Sequence, residues 1–197
     1  MKVVGKPKLI FSLCINGISV FWGLALLTSP YVYMRFIGGI IIFIAIVFIF
    51  PALLFPDSMW LVDQTTIQYN SFSSYKNNVV AFYNYYIQKK AIKYQIKINL
   101  DMIQYIKVTY AVRPAVFLWG CYYDICFDIR TKDNSEFHFK VLEIGKKRKD
   151  FIEAVHLLKK QNVPFIDYYN IIDHLENSPQ NISFYLEKIE KDKEGKK

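Results

Sequence analysis

Lys146-Lys147-Arg148-Lys149 is the longest uninterrupted run of cations in the sequence. Ammonium and guanidinium groups packed this closely attract anions. Beside a bilayer, each is worth about 1 kcal/mol toward anionic lipid. The run directly precedes an amphipathic stretch, where the positive end of a helix dipole repels it, so helix stability does not account for it. Lys89, Lys90 and Lys93 make a second basic patch. Either group could instead be a solvated turn that keeps a domain in water, and both readings stay open.

Other chemistry-bearing residues are poorly spaced for catalysis. Asp124 and Asp128 fall on one face of a strand, but four residues separate their Cα atoms by about 13 Å. A glycosidase pair needs carboxyls about 5–9.5 Å apart. Pairing across to the Lys132–Lys140 region is the better account of both. His138, His156 and His174 stand eighteen residues apart with no H-x-x-x-H or C-x-x-C partner. Cys121 and Cys126 are an odd number apart and face opposite ways on a strand, while Cys14 lies in an apolar segment. The eight glycines build no phosphate loop and no nucleophile elbow. The expectation is a protein with no enzymatic activity, no metal and no cofactor.

The elements that carry these residues fall into two classes. Between residues 9 and 55 the only charged side chain is Arg35, and all 17 carboxylates lie from Asp57 onward, in a chain of 197 residues and net charge +8. Leu9–Leu27 and Phe36–Phe55 are uncharged runs that, as helices, reach roughly 28–30 Å, the thickness of a bilayer core. A cleaved signal peptide fits worse, because the first run is long, lacks an A-x-A site and is followed at once by a second. Residues 1–56 thus read as a transmembrane hairpin, with Pro30, Tyr31 and Tyr33 in its linker. Lys2, Lys6 and Lys8 precede it and a Lys-rich domain follows. The positive-inside rule therefore puts the N- and C-termini in the cytoplasm and Trp60 at the inner interface. Asn16, Ser19 and Gly23 are the candidates for intramembrane packing, Ser19-x-x-x-Gly23 being a small-x-x-x-small pattern. Packing within the hairpin or in a homo-oligomer explains Asn16 better than a pore does, since no charged side chain lies inside the spans.

From Trp60 to Ile144 the pattern alternates with period two. Strands are predicted at Leu61–Ser71, Val79–Gln88, Ile92–Ile98, Tyr105–Ala111, Cys121–Ile129 and Glu136–Ile144, with turns at Ser73–Asn78 and Lys132–Ser135. Lys146–Asn162 then shows a helical stripe of Phe151, Ile152, Val155 and Leu158. A weak helix is predicted at Asp167–Leu175, and Lys188–Lys197 reads as charged and frayed.

About seven antiparallel strands closed by one amphipathic helix resemble a pleckstrin-homology (PH) domain. A two-span hairpin ahead of it resembles bacterial membrane proteins with a PH-like domain. The resemblance rests on Ile98–Val108, Tyr123–Ile144, Lys149–Leu158 and Val163–Ile166. It implies a membrane α-hairpin plus an α+β domain, a PH-like sandwich or barrel at residues 57–166, with a helical, charged extension at 167–197. It does not carry over a phosphoinositide specificity, because such superfolds host many roles.

The function expected is therefore a membrane-anchored module that binds a protein partner or anionic lipid, with β-augmentation at an edge strand as one route. Immunity against a bacteriocin or secreted toxin is the alternative, as is an accessory role to a transporter or enzyme. Nucleic acid is not an expected partner. A stacking platform needs a basic groove beside exposed rings, for which only Tyr83, Tyr85 and Tyr86 offer themselves.

Overall fold

The computed structural model describes residues 1–5, 9–54, 58–71, 74–90, 92–114, 121–142 and 148–194. Two compact units emerge. One holds residues 1–5, 60–69 and 96–197; the other holds residues 6–59 and 70–95.

The second unit is built on two apolar helices. α1 is Leu9–Leu27 and α2 is Val32–Ile44, the latter running on through a π-helical turn, Ala45–Ile49, into α3, Phe50–Leu54. The second run starts four residues before the expected Phe36 because Arg35 is accommodated in the helix, its Nε donating to the Ser29 carbonyl at 2.7 Å. Pro51 explains the π turn. It has no N–H to give the preceding turn and its ring crowds the carbonyl four residues back, so the backbone widens just upstream. The Phe50 N–H accordingly reaches the Ala45 carbonyl, five residues away. Both apolar helices, Leu9–Leu27 and Val32–Ile49, are long and apolar enough to cross a membrane, and most of their surface is exposed.

α1 turns one stripe toward its neighbour, with Ser12, Asn16 and Gly23 buried. The Ser12 hydroxyl donates to the Phe50 carbonyl at 2.8 Å. Gly23 meets Gly38 of α2 so closely that a Cβ on Gly38 would stand 2.6 Å from the Gly23 carbonyl oxygen. The expected Gly23 packing is thus a glycine-on-glycine crossing. Ser19 is half-buried on the same helix.

This unit also contains a correction. Val79–Gln88 is helical, not a strand: α4 spans Tyr75–Phe82 and continues into a π-helical turn, Tyr83–Ile87. Its β-branched and aromatic residues favour strands only weakly. Here Phe82 packs edge-to-face on Phe50 of α3, with ring centroids 5.8 Å apart, and that contact outweighs propensity.

The first unit is an α+β domain with two four-stranded sheets. In one, β1 (Lys2–Val4), β2 (Ser58–Val62), β3 (Thr66–Ser71) and β4 (Ile96–Asn99) lie in that order. In the other, β5 (Ile103–Pro114), β6 (Cys121–Thr131) and β7 (Glu136–Leu142) form an antiparallel meander, and β8 (Phe165–Ile166) adds to β5 in parallel. Eight strands replace the seven expected, and among the described residues no barrel closes. The stretch read as one strand, Leu61–Ser71, is a hairpin broken at Asp63. Ile92–Ile98 becomes strand only from Ile96.

Asp63 makes that break. Its carboxylate accepts the N–H groups of Thr65 and Thr66 at 2.8 and 2.7 Å, and the Thr66 hydroxyl at 2.8 Å. Burial pushes its pKa up, but these donors outweigh burial and bring it from 3.8 to about 2. A depressed carboxylate stabilises the fold above its unfolded pKa and loses that contribution as pH falls toward its folded one. Asp63→Ala is therefore expected to cost about 1–2 kcal/mol at pH 7. In urea titrations the gap between variant and parent should close between pH 4 and pH 2.

A single core joins both sheets and α5 (Arg148–Lys160), with Trp60, Ile67, Ile106, Phe127, Phe139 and Phe151 among its buried residues. Trp60 is fully buried here instead of lying at a membrane interface. Its indole N–H donates to the Val141 carbonyl at 2.8 Å, and its ring meets Phe127 and Phe151 edge-on. Tyr69 stacks on Phe139 at 4.2 Å and ties the sheets together a second time.

Two more helices follow: α6 (Ile171–Asn177) and α7 (Ile182–Glu194). The expected frayed end is helical through Glu194. Leu186 is fully buried, and the Lys193 ammonium lies over the Tyr110 and Tyr169 rings while donating to the Tyr110 hydroxyl at 2.6 Å. That hydrogen bond raises the pKa of Lys193.

Candidate functional site

The two basic groups have different fates. Lys146 and Lys147 lie outside the described residues. Arg148 begins α5 and folds back on the end of α6, its guanidinium donating to the carbonyls of Leu175, His174 and Ser178. A helix C-terminus leaves its last carbonyls without intrahelical donors, and Arg148 supplies them. This cation holds the fold. Lys149, one residue on, is exposed. Arg148→Ala should cost about 2–3 kcal/mol and Lys149→Ala close to nothing, as read from thermal unfolding by circular dichroism.

Lys89, Lys90 and Lys93 are all exposed and follow the π-helical turn. Lys89 takes a left-handed conformation (φ 52°), which ends the helix and turns the chain back. The Lys90 N–H then donates to the Asn84 carbonyl at 2.9 Å. Farther along, the Asn70 amide donates to the Lys93 carbonyl at 3.3 Å, and the Gln95 amide oxygen accepts the Ser71 N–H at 3.4 Å. These bonds tie Lys90 to the π-helical turn and Lys93 and Gln95 to the end of β3, beside a pocket of about 410 Å³.

Helical spacing builds one wall of this pocket: Asn77, Val80, Ala81 and Asn84 recur at i, i+3, i+4 and i+7. The opposite wall carries Lys90, Ile92, Lys93 and Gln95, with Asn70 between. Asn70 is 5% exposed, and its side-chain oxygen accepts no hydrogen bond among the described residues. Tyr85 also lines the pocket, and the same segment displays Tyr83, Tyr86 and Ile87 to the exterior. The sequence signal for this site was half visible, as two of the three lysines, Lys90 and Lys93. Its neutral polar half, Asn70, Asn77, Asn84 and Gln95, is scattered over 26 positions without a motif.

The remaining candidates take structural roles. Asp128 pairs with His138 at 2.6 Å and accepts the Thr109 hydroxyl at 3.0 Å, within the cross-strand region expected. Asp124 is buried and pairs with Arg113 of β5, because Ala111 is its register partner and Arg113 lies two residues along the same strand face. His156 pairs with Glu176 at 3.1 Å, and His174 stacks on Tyr185 at 4.0 Å. Asn16 is 9% exposed in the helix seam, and its side-chain oxygen accepts no hydrogen bond among the described residues. No three His, Cys, Asp or Glu side chains converge among the described residues.

Compared with known proteins, the chain matches no family model, no curated protein and no solved structure.

Proposed function

We propose that this chain is a non-catalytic module held in the cytoplasmic membrane by its helical hairpin, presenting a PH-like domain at the inner face to a protein partner or anionic lipid. One observation carries the reading: Lys2–Val4 pairs antiparallel with β2, Val4 lying opposite Trp60. The segment before the first apolar helix and the segment after the second therefore belong to one sheet. Gly5 and Leu9 are four residues apart, a reach of about 14 Å, which cannot cross a core about 30 Å thick. This pairing supports a hairpin whose two ends lie on one side of the bilayer. The strand is anchored as well as paired, since the Lys2 ammonium bridges Asp150 at 3.1 Å and also meets Glu153 of α5.

The cytoplasmic side follows from charge, with Lys2, Lys6 and Lys8 ahead of the hairpin and a basic domain behind it. The β5–β6–β7 meander followed by α5 supports the PH-like reading, and β8, α6 and α7 would be additions to it. The test is purification of the intact chain from its membrane in mild detergent, with mass spectrometry of bound protein and lipid. A stoichiometric partner, or anionic lipid enriched over the bulk membrane, is the expected result. Bulk lipid composition with no partner would contradict it.

A further inference from the structure

We infer that the pocket lined by α4, Lys90 and residues 92–95 binds the headgroup of an anionic phospholipid that carries a free hydroxyl, a phosphoglycerol headgroup being the simplest. The inference rests on the membrane-module reading and gives its lipid arm a site. Charge selects the anion: Lys90 and Lys93 line the pocket, and no carboxylate does among the described residues. A phosphodiester meets two ammonium groups there.

Asn70 selects the hydroxyl. A buried carbonyl oxygen without a donor is costly, and Asn70 holds one at 5% exposure on the pocket wall while its own amide is spent on the Lys93 carbonyl. An occupant that only accepts hydrogen bonds, such as a phosphodiester with no other polar group, cannot satisfy it. An alcohol attached to the phosphate can. Asn77, Asn84 and Gln95 add neutral donors and acceptors around the same volume.

Position selects a lipid over a soluble phosphate. α4 packs on α3, the last helical turn of the second apolar run, through Phe82 and Phe50. That is the depth at which headgroups lie. The segment is edged by exposed Val80 and Ile87 and by Tyr83, Tyr85 and Tyr86, the residue types of an interfacial belt.

The test uses the full chain in nanodiscs of phosphatidylcholine doped with phosphatidylglycerol, phosphatidylmethanol or neither, with bound lipid counted by native mass spectrometry. Phosphatidylmethanol has the same charge and no hydroxyl. The parent should prefer phosphatidylglycerol over phosphatidylmethanol about tenfold, and Lys90→Glu with Lys93→Glu should lose at least tenfold. Lys132→Glu with Lys160→Glu, an equal charge change at exposed positions of the α+β domain, should leave binding intact. Asn70→Leu should abolish the preference for the hydroxyl, and should it misfold, the lysine pair still decides. Equal loss in both charge variants, or unchanged binding in Lys90→Glu/Lys93→Glu, overturns the pocket while leaving the membrane module standing. Equal uptake of phosphatidylglycerol and phosphatidylcholine by the parent overturns the lipid arm itself. Competition by glycerol 1-phosphate at the concentration of the lipid would keep the pocket and overturn the lipid as its source.

Discussion

Gly38→Val is expected to split the helical hairpin, whereas Gly39→Val, one residue away, leaves it intact. A Cβ on Gly38 would lie 2.6 Å from the Gly23 carbonyl oxygen and 3.0 Å from both the Leu27 nitrogen and the Leu26 Cβ. Two of these three atoms are backbone and cannot swing aside. The helices must separate along the whole seam that holds Ser12 and Asn16. Overpacking of this kind costs about 1–3 kcal/mol and more where backbone must move, so about 3 kcal/mol is the expected loss. Gly39 has nothing within 4 Å of its Cβ position and supplies the matched control. Thermal unfolding in detergent, with a disulfide cross-link engineered across the seam, would read the difference. Equal behaviour of the two variants would mean the crossing does not hold the hairpin.

Trp60→Ala carries the other large effect, about 3–5 kcal/mol, since a fully buried indole is removed and the Val141 carbonyl loses its donor. Single domains are stable by only about 5–15 kcal/mol, so this one change removes a large share. Trp60→Phe should recover the packing with Phe127 and Phe151 but not the hydrogen bond, and should fall between parent and alanine. Urea unfolding followed by circular dichroism orders the three. A tryptophan at a lipid–water interface would instead lose under about 1 kcal/mol, so the measurement also separates the two placements of this residue.

Trp60 illustrates what a sequence withholds. Its position just past an apolar run reads as an interfacial anchor, because nothing local reports that Lys2-Val3-Val4, more than fifty residues earlier, lies beside it in a sheet. A three-residue strand has no periodicity to detect, and its lysine resembles the flank of a membrane span. The two-residue β8 is hidden for the same reason. Long elements with a clean period were legible: α1, the alternating Cys121–Thr131, its hairpin with Glu136–Leu142, and α5.

Where propensity and context disagreed, context decided. Val79–Gln88 is rich in strand formers yet helical, held on Phe50. Lys188–Lys197 reads as charged and frayed, yet through Glu194 it belongs to a helix that starts at Ile182, whose charges pair, Glu187 with Lys191 and Glu190 with Lys193, while Leu186 enters the core. The Asp63 turn was readable in principle, an aspartate before two threonines at the middle of an over-long strand. The pocket was not, because amides at positions 70, 77, 84 and 95 become neighbours only once α4 is a helix. Arg148 shows the reverse error: a cation in a basic run looks like a ligand-binding group until the carbonyls it caps are in view.

The central claim is that both ends of the hairpin lie on the cytoplasmic side, with the linker outside. Cysteine labelling in intact cells tests it most directly. With Cys14, Cys121 and Cys126 replaced by alanine, single cysteines are placed at Tyr33 in the linker region and at Asn134 in the β6–β7 turn. A membrane-impermeant maleimide should label position 33 in whole cells and position 134 only after lysis. Labelling of position 134 in whole cells, or protection of position 33 until lysis, would contradict the account.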